Sequence, residues 1–314
     1  MMKKLLKTFL FAFLVLLILL SVGGYYMVDY ALTPLNRGKD IEGSYEYMYK
    51  EYPHLRPYMD SLQQTKALRD TFITTIDGIR LHGFYVKASV PTRQTAVIVH
   101  GYTDNAIRMM MIGYMYNQDL GFNILLPDLR YSGLSEGNHL QMGWFDRKDV
   151  AQWINLLPTL FGDSIEVVVH GISMGAATTM MLAGDPQPEY IKCFVEDCGY
   201  TSVWDEFKNE LKEQFNLPAF PLLHISNLIC KLRHGWSFTE ASALKQVTKC
   251  KRPMLFIHGE NDTFVPTNMV YPLYEAKPQP KELWLVPSEG HARSYHNFPK
   301  EYTEKVREFI TKNL

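Results

Sequence analysis

Three residues of this chain, Ser173, Asp262 and His291, are of the types that together perform nucleophilic catalysis. Ser173 lies in the run Gly-Ile-Ser-Met-Gly at 171–175, with a glycine two positions away on either side. A serine hydroxyl is a weak nucleophile, so it needs a base to take its proton and an acid to orient that base. We predict Ser173 as the nucleophile, His291 as the base and Asp262 as the orienting acid.

The sequence around Ser173 predicts a strand, a sharp turn and a helix. The β-branched run 165–169 precedes the serine, and the small residues of 176–183 follow it. Glycines allow a strand and a helix to pass close to each other beneath a strained apical residue. This pattern is that of a nucleophile elbow, in which the first N–H groups of the helix point at the atom under attack.

A developing oxyanion needs two backbone N–H donors. We expect one to be the N–H of Met174, the residue after the nucleophile. The other is expected in the turn His100-Gly101-Tyr102 after the third strand, as the N–H of Tyr102. The side chain of Tyr102 is the alternative donor.

Asp262 and His291 each follow a predicted strand, at 254–257 and 282–286. The order serine, acid, histidine is that of a doubly wound hydrolase, in which each group follows the carboxyl end of a strand. Glu260 and Glu289 are rival acids. Three other histidines, His100, His170 and His258, also end predicted strands, and we interpret them as loop-structuring residues. His291 is preferred because it follows the last predicted strand.

The elements that must position these residues are short apolar strands alternating with helices. A hairpin at 71–75 and 80–86 turns at Asp77-Gly78 and precedes the other strands. Further strands are predicted at 95–99, 123–126, 165–169, 191–195, 254–257 and 282–286. Helices are predicted at 144–160 and 302–314, among others. This alternation predicts the α/β class, with a doubly wound, mostly parallel eight-stranded sheet.

About 50 residues after the sixth predicted strand lack any strand signal. We interpret this stretch, at about 201–250, as a small helical cap inserted into the fold. Aromatic residues are scattered through it: Trp204, Phe207, Phe215, Phe220, Trp236 and Phe238. They are expected either to line an apolar substrate pocket or to bury the cap against the body of the domain.

The N-terminus carries an apolar segment that is long enough to cross a bilayer. Lys3, Lys4 and Lys7 precede an uncharged run at 8–28, and about 20 apolar residues suffice to span the hydrocarbon core. Tyrosines 25, 26 and 30 follow where an interfacial aromatic belt would lie. We favour a retained membrane anchor at 1–28, with the catalytic domain on the extracytoplasmic side. A cleaved signal peptide, with Ser21-Val22-Gly23 at the cleavage position, is the alternative.

Composition limits the remaining possibilities. The chain has 314 residues, 46% of them hydrophobic, and a formal net charge of -1. Its length suits one large domain at 70–314, joined to the anchor by short helices at 29–69. The charge argues against a nucleic-acid partner. Four cysteines without Cys-x-x-Cys spacing argue against a zinc or redox centre, and leave three complete disulfide pairings open. We expect no metal and no organic cofactor, and the oligomeric state is not indicated.

Residues from about 70 to 314 resemble the α/β-hydrolase superfamily. The motifs that carry the resemblance are His100-Gly101-Tyr102, the run 128–137, the serine turn at 170–175, and the loops that hold Asp262 and His291. Within the superfamily the chain is similar to serine hydrolases with a short cap, the monoacylglycerol-lipase-like and serine-aminopeptidase-like proteins. The resemblance implies an α/β-hydrolase fold and assigns the Asp128 loop a structural role.

These observations predict a membrane-anchored serine hydrolase that cleaves small-molecule carboxylic esters, with an apolar acyl group. A peptidase, thioesterase or acyltransferase would use the same three residues. A peptidase would be favoured by acidic residues that bind a free amine, for which Asp205, Glu206 and Glu210 are candidates. A solvated helix face is the alternative explanation of these three acids. A catalytically silent membrane-bound binding protein is the third hypothesis.

Overall fold

Eight strands form a single sheet at the centre of the molecule. A computed structural model of the chain describes residues 1–35 and 37–314. The strands are β1 (Arg69–Thr74), β2 (Arg80–Val86), β3 (Gln94–Val99), β4 (Asn123–Pro127), β5 (Glu166–Ile172), β6 (Ile191–Asp197), β7 (Met254–Gly259) and β8 (Lys281–Val286). Their order in space is β1-β2-β4-β3-β5-β6-β7-β8. The strand β2 runs antiparallel to both its neighbours, and the other pairs are parallel, so the predicted doubly wound, mostly parallel sheet is confirmed.

Helices cover the sheet and extend from its ends. They are α1 (Met2–Leu32), α2 (Ile41–Glu51), α3 (Arg56–Gln64), α4 (Met110–Tyr114), α5 (Asp146–Phe161), α6 (Met174–Ala183), α7 (Val203–Phe215), α8 (Leu222–His234), α9 (Ala243–Val247), α10 (Val270–Ala276), α11 (Ser294–Asn297) and α12 (Pro299–Thr311). The side chains of β3 show the layering. Val97 and Val99 belong to one buried apolar cluster, whereas Ala96 and Ile98 belong to another. Because successive strand residues point to opposite faces, the sheet is buried on both sides, as expected of parallel strands.

The fifth strand continues further than its apolar run. The sequence predicts a strand over 165–169, but β5 extends to Ile172. His170, Gly171 and Ile172 remain in register with the end of β6. The strand therefore carries the chain directly to Ser173, at the carboxyl edge of the sheet.

Three helices, α7, α8 and α9, connect β6 to β7, in the stretch predicted to form a helical cap. The helix α7 begins where the Ser202 hydroxyl accepts a hydrogen bond from the N–H of Asp205, and α9 begins with the equivalent bond from Lys245 to Ser242. Such N-caps satisfy backbone donors that have no partner within the helix. The helices α7 and α9 thus begin at positions encoded by a serine in the sequence.

The N-terminal helix α1 has two parts. Its side chains up to residue 19 are exposed, and by length and composition the helix can cross a membrane, a test that a signal sequence also passes. Its last turns pack against the cap, where Gly24, Val28 and Leu32 are buried. The helix therefore continues past the predicted boundary at residue 28 and joins the folded domain.

All four cysteines, Cys193, Cys198, Cys230 and Cys250, are buried free thiols. None of the three disulfide pairings left open by the sequence is formed among them.

Candidate active site

Ser173 lies at a tight turn between β5 and α6. Its backbone has φ 58° and ψ -120°, a strained conformation for a residue with a side chain. A Cβ on Gly175 would overlap the carbonyl oxygen of Val99, and a Cβ on Gly171 would overlap that of Gly175. The two glycines are therefore required by close backbone contacts, as their spacing predicts.

The side chains of Ser173, His291 and Asp262 form one hydrogen-bonded chain. The Nε2 atom of His291 lies 2.8 Å from the Oγ of Ser173, and its Nδ1 atom lies 2.8 Å from Oδ2 of Asp262. With Nδ1 donating to the carboxylate, Nε2 is left to accept the serine proton. The structure thus brings the three predicted residues together in the order that proton transfer requires.

The Asp262 carboxylate is fixed from several directions. Its Oδ1 atom accepts hydrogen bonds from the N–H groups of Phe264 and Val265, each at 3.0 Å. Burial raises the pKa of Asp262, but the hydrogen bonds from His258 and His291 outweigh burial and lower the pKa below its usual value. The group is therefore ionised and correctly placed to stabilise a protonated imidazole.

The rival acids lie elsewhere. Glu260 is exposed to solvent, and the carboxylate of Glu289 accepts a hydrogen bond from the side chain of Asn297 at 2.6 Å. Asp262 is the carboxylate that is hydrogen-bonded to His291, so the geometry favours the predicted choice.

Both predicted oxyanion donors are beside Ser173. Met174 is the first residue of α6, and it lines the same pocket as Tyr102, Ser173 and His291. A Cβ on Gly101 would lie 3.4 Å from the Cβ of Ser173, so the turn that carries Tyr102 packs directly against the serine. The Tyr102 hydroxyl donates to the carbonyl oxygen of Ala31, which favours the backbone N–H over the side chain as the donor.

The three other strand-end histidines are fully buried. His100 accepts a hydrogen bond from the N–H of Leu129. His170 lies between the hydroxyls of Tyr116 and Tyr302, and burial lowers its pKa to about 3. These contacts fit the predicted structural role. His258 differs because its Nε2 atom is 3.4 Å from the Asp262 carboxylate, a contact that its sequence position did not reveal.

One cluster has the composition of a metal site. Ligand atoms of Cys198, Asp262 and His291 lie within 4.8 Å of one another. However, Asp262 and His291 are hydrogen-bonded to each other, and burial raises the pKa of the Cys198 thiol well above its usual value. A neutral thiol is a poor cation ligand, so this donor set fits a hydrogen-bonded network better than a metal ion.

A cavity of about 800 Å³ opens above Ser173 and His291. Cap residues form much of its wall, including three of the predicted aromatics, Phe207, Phe215 and Phe238. The other cap aromatics have different roles, since Trp236 is buried in the core and Phe220 is exposed. Cavity lining therefore holds for the three phenylalanines and burial for Trp236, whereas the exposed Phe220 fits neither expectation.

Two acidic cap residues also line this cavity. Glu206 is buried with an unpaired Oε2 atom, and burial raises its pKa well above the usual value. Glu210 lies beside it, hydrogen-bonded to Gln214. Asp205, the third candidate, instead accepts hydrogen bonds from Thr201 and Ser202 at the start of α7.

The N-terminal helix α1 forms part of the same wall, which the sequence did not predict. Tyr26, Met27 and Tyr30 of α1 line the cavity together with Ser173. The tyrosines are predicted only as interfacial residues. The spacing of apolar residues within α1 does not indicate that the helix packs against the cap, because the cap lies about 200 residues further along the chain.

Comparison with known proteins places this geometry in a family. Residues 112–314 match the prolyl oligopeptidase family. The uncharacterized protein YqkD of Bacillus subtilis is 31% identical over 74% of this chain and 76% of its own length. The mouse alpha/beta hydrolase domain-containing protein 17C is 23% identical over 81% of this chain and 71% of its own length.

Among solved structures, the Pyrococcus furiosus esterase Pf2001 shares the fold. It has a TM-score of 0.63 and 24% identity, over 78% of this chain and 92% of the esterase. The match to the family covers more than half of the chain and includes Ser173, Asp262 and His291. The chain therefore belongs to the prolyl oligopeptidase family and is a hydrolase of the α/β-hydrolase fold.

Proposed function

We propose that the chain is a membrane-anchored serine hydrolase that cleaves carboxylic esters with an apolar acyl group. The observation that carries this proposal is the hydrogen-bonded chain from Asp262 through His291 to Ser173, which ends at a largely apolar cavity. Such an arrangement activates a serine for attack on an acyl carbon. An apolar wall favours an acyl chain over a polar group.

In the proposed mechanism His291 Nε2 takes the Ser173 proton as Oγ attacks the ester carbonyl. The N–H groups of Tyr102 and Met174 stabilise the oxyanion. His291 then returns the proton to the leaving alcohol, and the acyl-enzyme forms. Water, deprotonated by His291, attacks the acyl carbon and releases the carboxylic acid and free Ser173. Asp262 holds the imidazole and balances its charge throughout.

The test is hydrolysis of p-nitrophenyl esters of increasing acyl length by the full chain in detergent. We expect Ser173→Ala to lower kcat by about a thousandfold or more, since the triad acts as a unit. Ser164→Ala, at an exposed serine before β5, is the matched control and should leave kcat unchanged. Equal activity of Ser173→Ala and the unsubstituted protein would refute the proposed nucleophile.

A peptidase is the second candidate, because Glu206 and Glu210 line the cavity near Ser173. A substrate ammonium group would pair with these carboxyls and lower their pKa values. If the substrate carries a free amine, Glu206→Gln will raise KM for amino-acid p-nitroanilides about tenfold, as loss of one charge-assisted hydrogen bond requires. The KM for uncharged p-nitrophenyl esters should then be unaffected. Absence of p-nitroanilide hydrolysis would exclude the peptidase and leave the esterase as the remaining proposal.

The anchor in this proposal is α1. Its basic residues Lys3, Lys4 and Lys7 precede the apolar run, which favours a cytoplasmic N-terminus and an extracytoplasmic catalytic domain. In sealed vesicles of known orientation, added protease should degrade the catalytic domain from the extracytoplasmic side. Protection on that side would reverse the proposed orientation.

A further inference from the structure

The end of α1 is built into the substrate cavity as well as into the cap. Tyr30 donates a hydrogen bond to Gln214 at 3.1 Å, and its ring makes an edge contact with Phe215. On the opposite side, Tyr102 donates to the carbonyl oxygen of Ala31. These contacts place the last turns of α1 between the turn that carries Tyr102 and the cap.

A close helix contact fixes this position. A Cβ on Gly24 would lie 3.0 Å from Ile225 and 3.1 Å from Ile229, so the absence of a side chain lets α1 approach α8 closely. Further along, Asp29 forms an ion pair of 2.9 Å with Arg233. The anchor is therefore docked along the cap helix and is more than a flexible tether.

The contacts also give the relative direction of the two helices. Gly23 faces Leu222 at the start of α8, and Asp29 pairs with Arg233 near its end. The two helices are therefore parallel, and the start of α8 is the end nearer to the apolar N-terminal part of α1. The uncharged run 8–28 spans about 30 Å, the thickness of the hydrocarbon core. When this run spans the hydrocarbon core, Gly23 and Gly24 lie within the bilayer, near its edge.

Several large apolar side chains of the cap are exposed to solvent. Leu217 and Phe220 lie in the loop between α7 and α8, and Leu228 and Leu232 lie one turn apart on α8. Phe220 is 72% exposed. A contiguous exposed apolar surface marks an interaction site, and Phe220 lies two residues before Leu222, the residue that Gly23 of the anchor faces. The occupant that fits both surfaces is the bilayer.

We propose that the cavity takes its substrate from the lipid phase, through the space between α1 and the α7–α8 loop. The substrate class is an ester with a long acyl chain held in a bilayer. The acyl chain of the substrate lies against Tyr26, Met27 and Tyr30, and the ester carbonyl reaches Ser173. Leu217 and Phe220 lie in the membrane interface and hold the entrance of the cavity at the surface of the bilayer. This inference rests on the proposed function and specifies the source of its substrate.

The first test locates the loop. The native cysteines are at most 1% exposed, so a single introduced cysteine can be labelled with an environment-sensitive fluorophore. We expect the label on Phe220→Cys, in the full chain reconstituted into phosphatidylcholine vesicles, to be quenched by brominated lipid. The control is Ile76→Cys in the β1–β2 turn, where the native side chain is 97% exposed. Equal, water-like emission from both labels would overturn the proposal.

The second test separates access from chemistry. The double variant Leu217→Asp/Phe220→Asp replaces two residues outside the cavity wall and the triad. It should lose about tenfold or more in hydrolysis of p-nitrophenyl palmitate carried in phosphatidylcholine vesicles, because charged side chains at these two positions are costly to place in an apolar phase. Hydrolysis of soluble p-nitrophenyl acetate should be unchanged, as should both activities of Ile76→Asp.

The outcomes distinguish the two proposals. Loss of both activities in Ser173→Ala with retention of vesicle hydrolysis in the double variant would overturn lipid-phase loading and leave the serine mechanism standing. An active Ser173→Ala would overturn the proposed function itself. A parallel loss of acetate and palmitate hydrolysis in the double variant would also contradict the inference, since Leu217 and Phe220 would then support the catalytic centre and not entry from the lipid phase.

Discussion

At the scale of single residues, Asp262 carries more interactions than any pairwise description of a triad implies. It accepts hydrogen bonds from two backbone N–H groups and from His291, and it also contacts His258. Burial lowers the pKa of His258, but the contact with Asp262 opposes burial and raises the pKa above its usual value. One carboxylate thus faces two imidazoles, of which only His291 reaches the serine.

Replacement of Asp262 by asparagine tests this assignment. Asp262→Asn keeps the size of the side chain but removes the charge that stabilises the imidazolium, so we expect kcat to fall about a thousandfold or more. Glu260→Gln is the matched control, because this rival acid is exposed, and it should retain full activity. Full activity of Asp262→Asn in the ester assay would transfer the role to another acid.

The order of the chain was sufficient to predict that Ser173, Asp262 and His291 lie together, because each follows a strand and parallel strands end at one edge of the sheet. The contact of His258 could not be predicted in the same way. The predicted strand ends at residue 257 and leaves His258 in a loop, but β7 continues to Gly259 and includes His258. The face on which the His258 side chain lies therefore depends on the strand. A shift of one residue reverses the face on which a side chain lies.

At the scale of elements, the β5–α6 unit holds Ser173 through backbone contacts that leave no room for side chains. Gly175 faces the carbonyl oxygens of Val99 and His100, which belong to β3 and the turn after it. The serine turn and the turn carrying Tyr102 are therefore fixed against each other. The spacing of the glycines predicts this, since no other residue type permits such an approach.

Gly175→Ala should consequently destabilise the fold by about 3 kcal/mol, the upper range for forcing an extra group into a packed site. We expect a clearly lower Tm by circular dichroism of the full chain. Gly290→Ala is the control, because a Cβ there meets no atom within 4 Å. If both variants melt at the same temperature as the unsubstituted protein, the close backbone contact is not present in solution.

At the scale of the whole molecule, the sequence predicted the sheet and the inserted cap helices but not the position of the N-terminal helix α1 against the cap. Local patterns such as the apolar strands and the Asp77-Gly78 turn depend on neighbours in the chain. The contact of Gly24 with Ile225 depends on the final packing of distant segments. The same holds for the cavity, whose wall combines α1, the serine turn and the cap.

Buried acidic residues near the carboxyl edge of the sheet make the free energy of unfolding of the whole domain depend on pH. Burial raises the pKa of Glu196 to about 8 and that of Asp146 to about 7. In the unfolded chain these groups ionise near pH 4. Between about pH 4 and pH 8 the folded state thus binds more protons than the unfolded state, and the free energy of unfolding falls as pH rises.

Glu196→Gln removes one of these ionisations while its amide oxygen can still accept the hydrogen bond that Glu196 receives from the N–H of Gly199 at 3.0 Å. We therefore expect the Tm of this variant to fall less between pH 5 and pH 8 than that of the unsubstituted protein. The control is Glu301→Gln at an exposed position on α12, which should leave the pH dependence unchanged. Parallel melting curves for all three proteins would show that Glu196 is ionised in the folded state, and that its environment stabilises the charge despite complete burial.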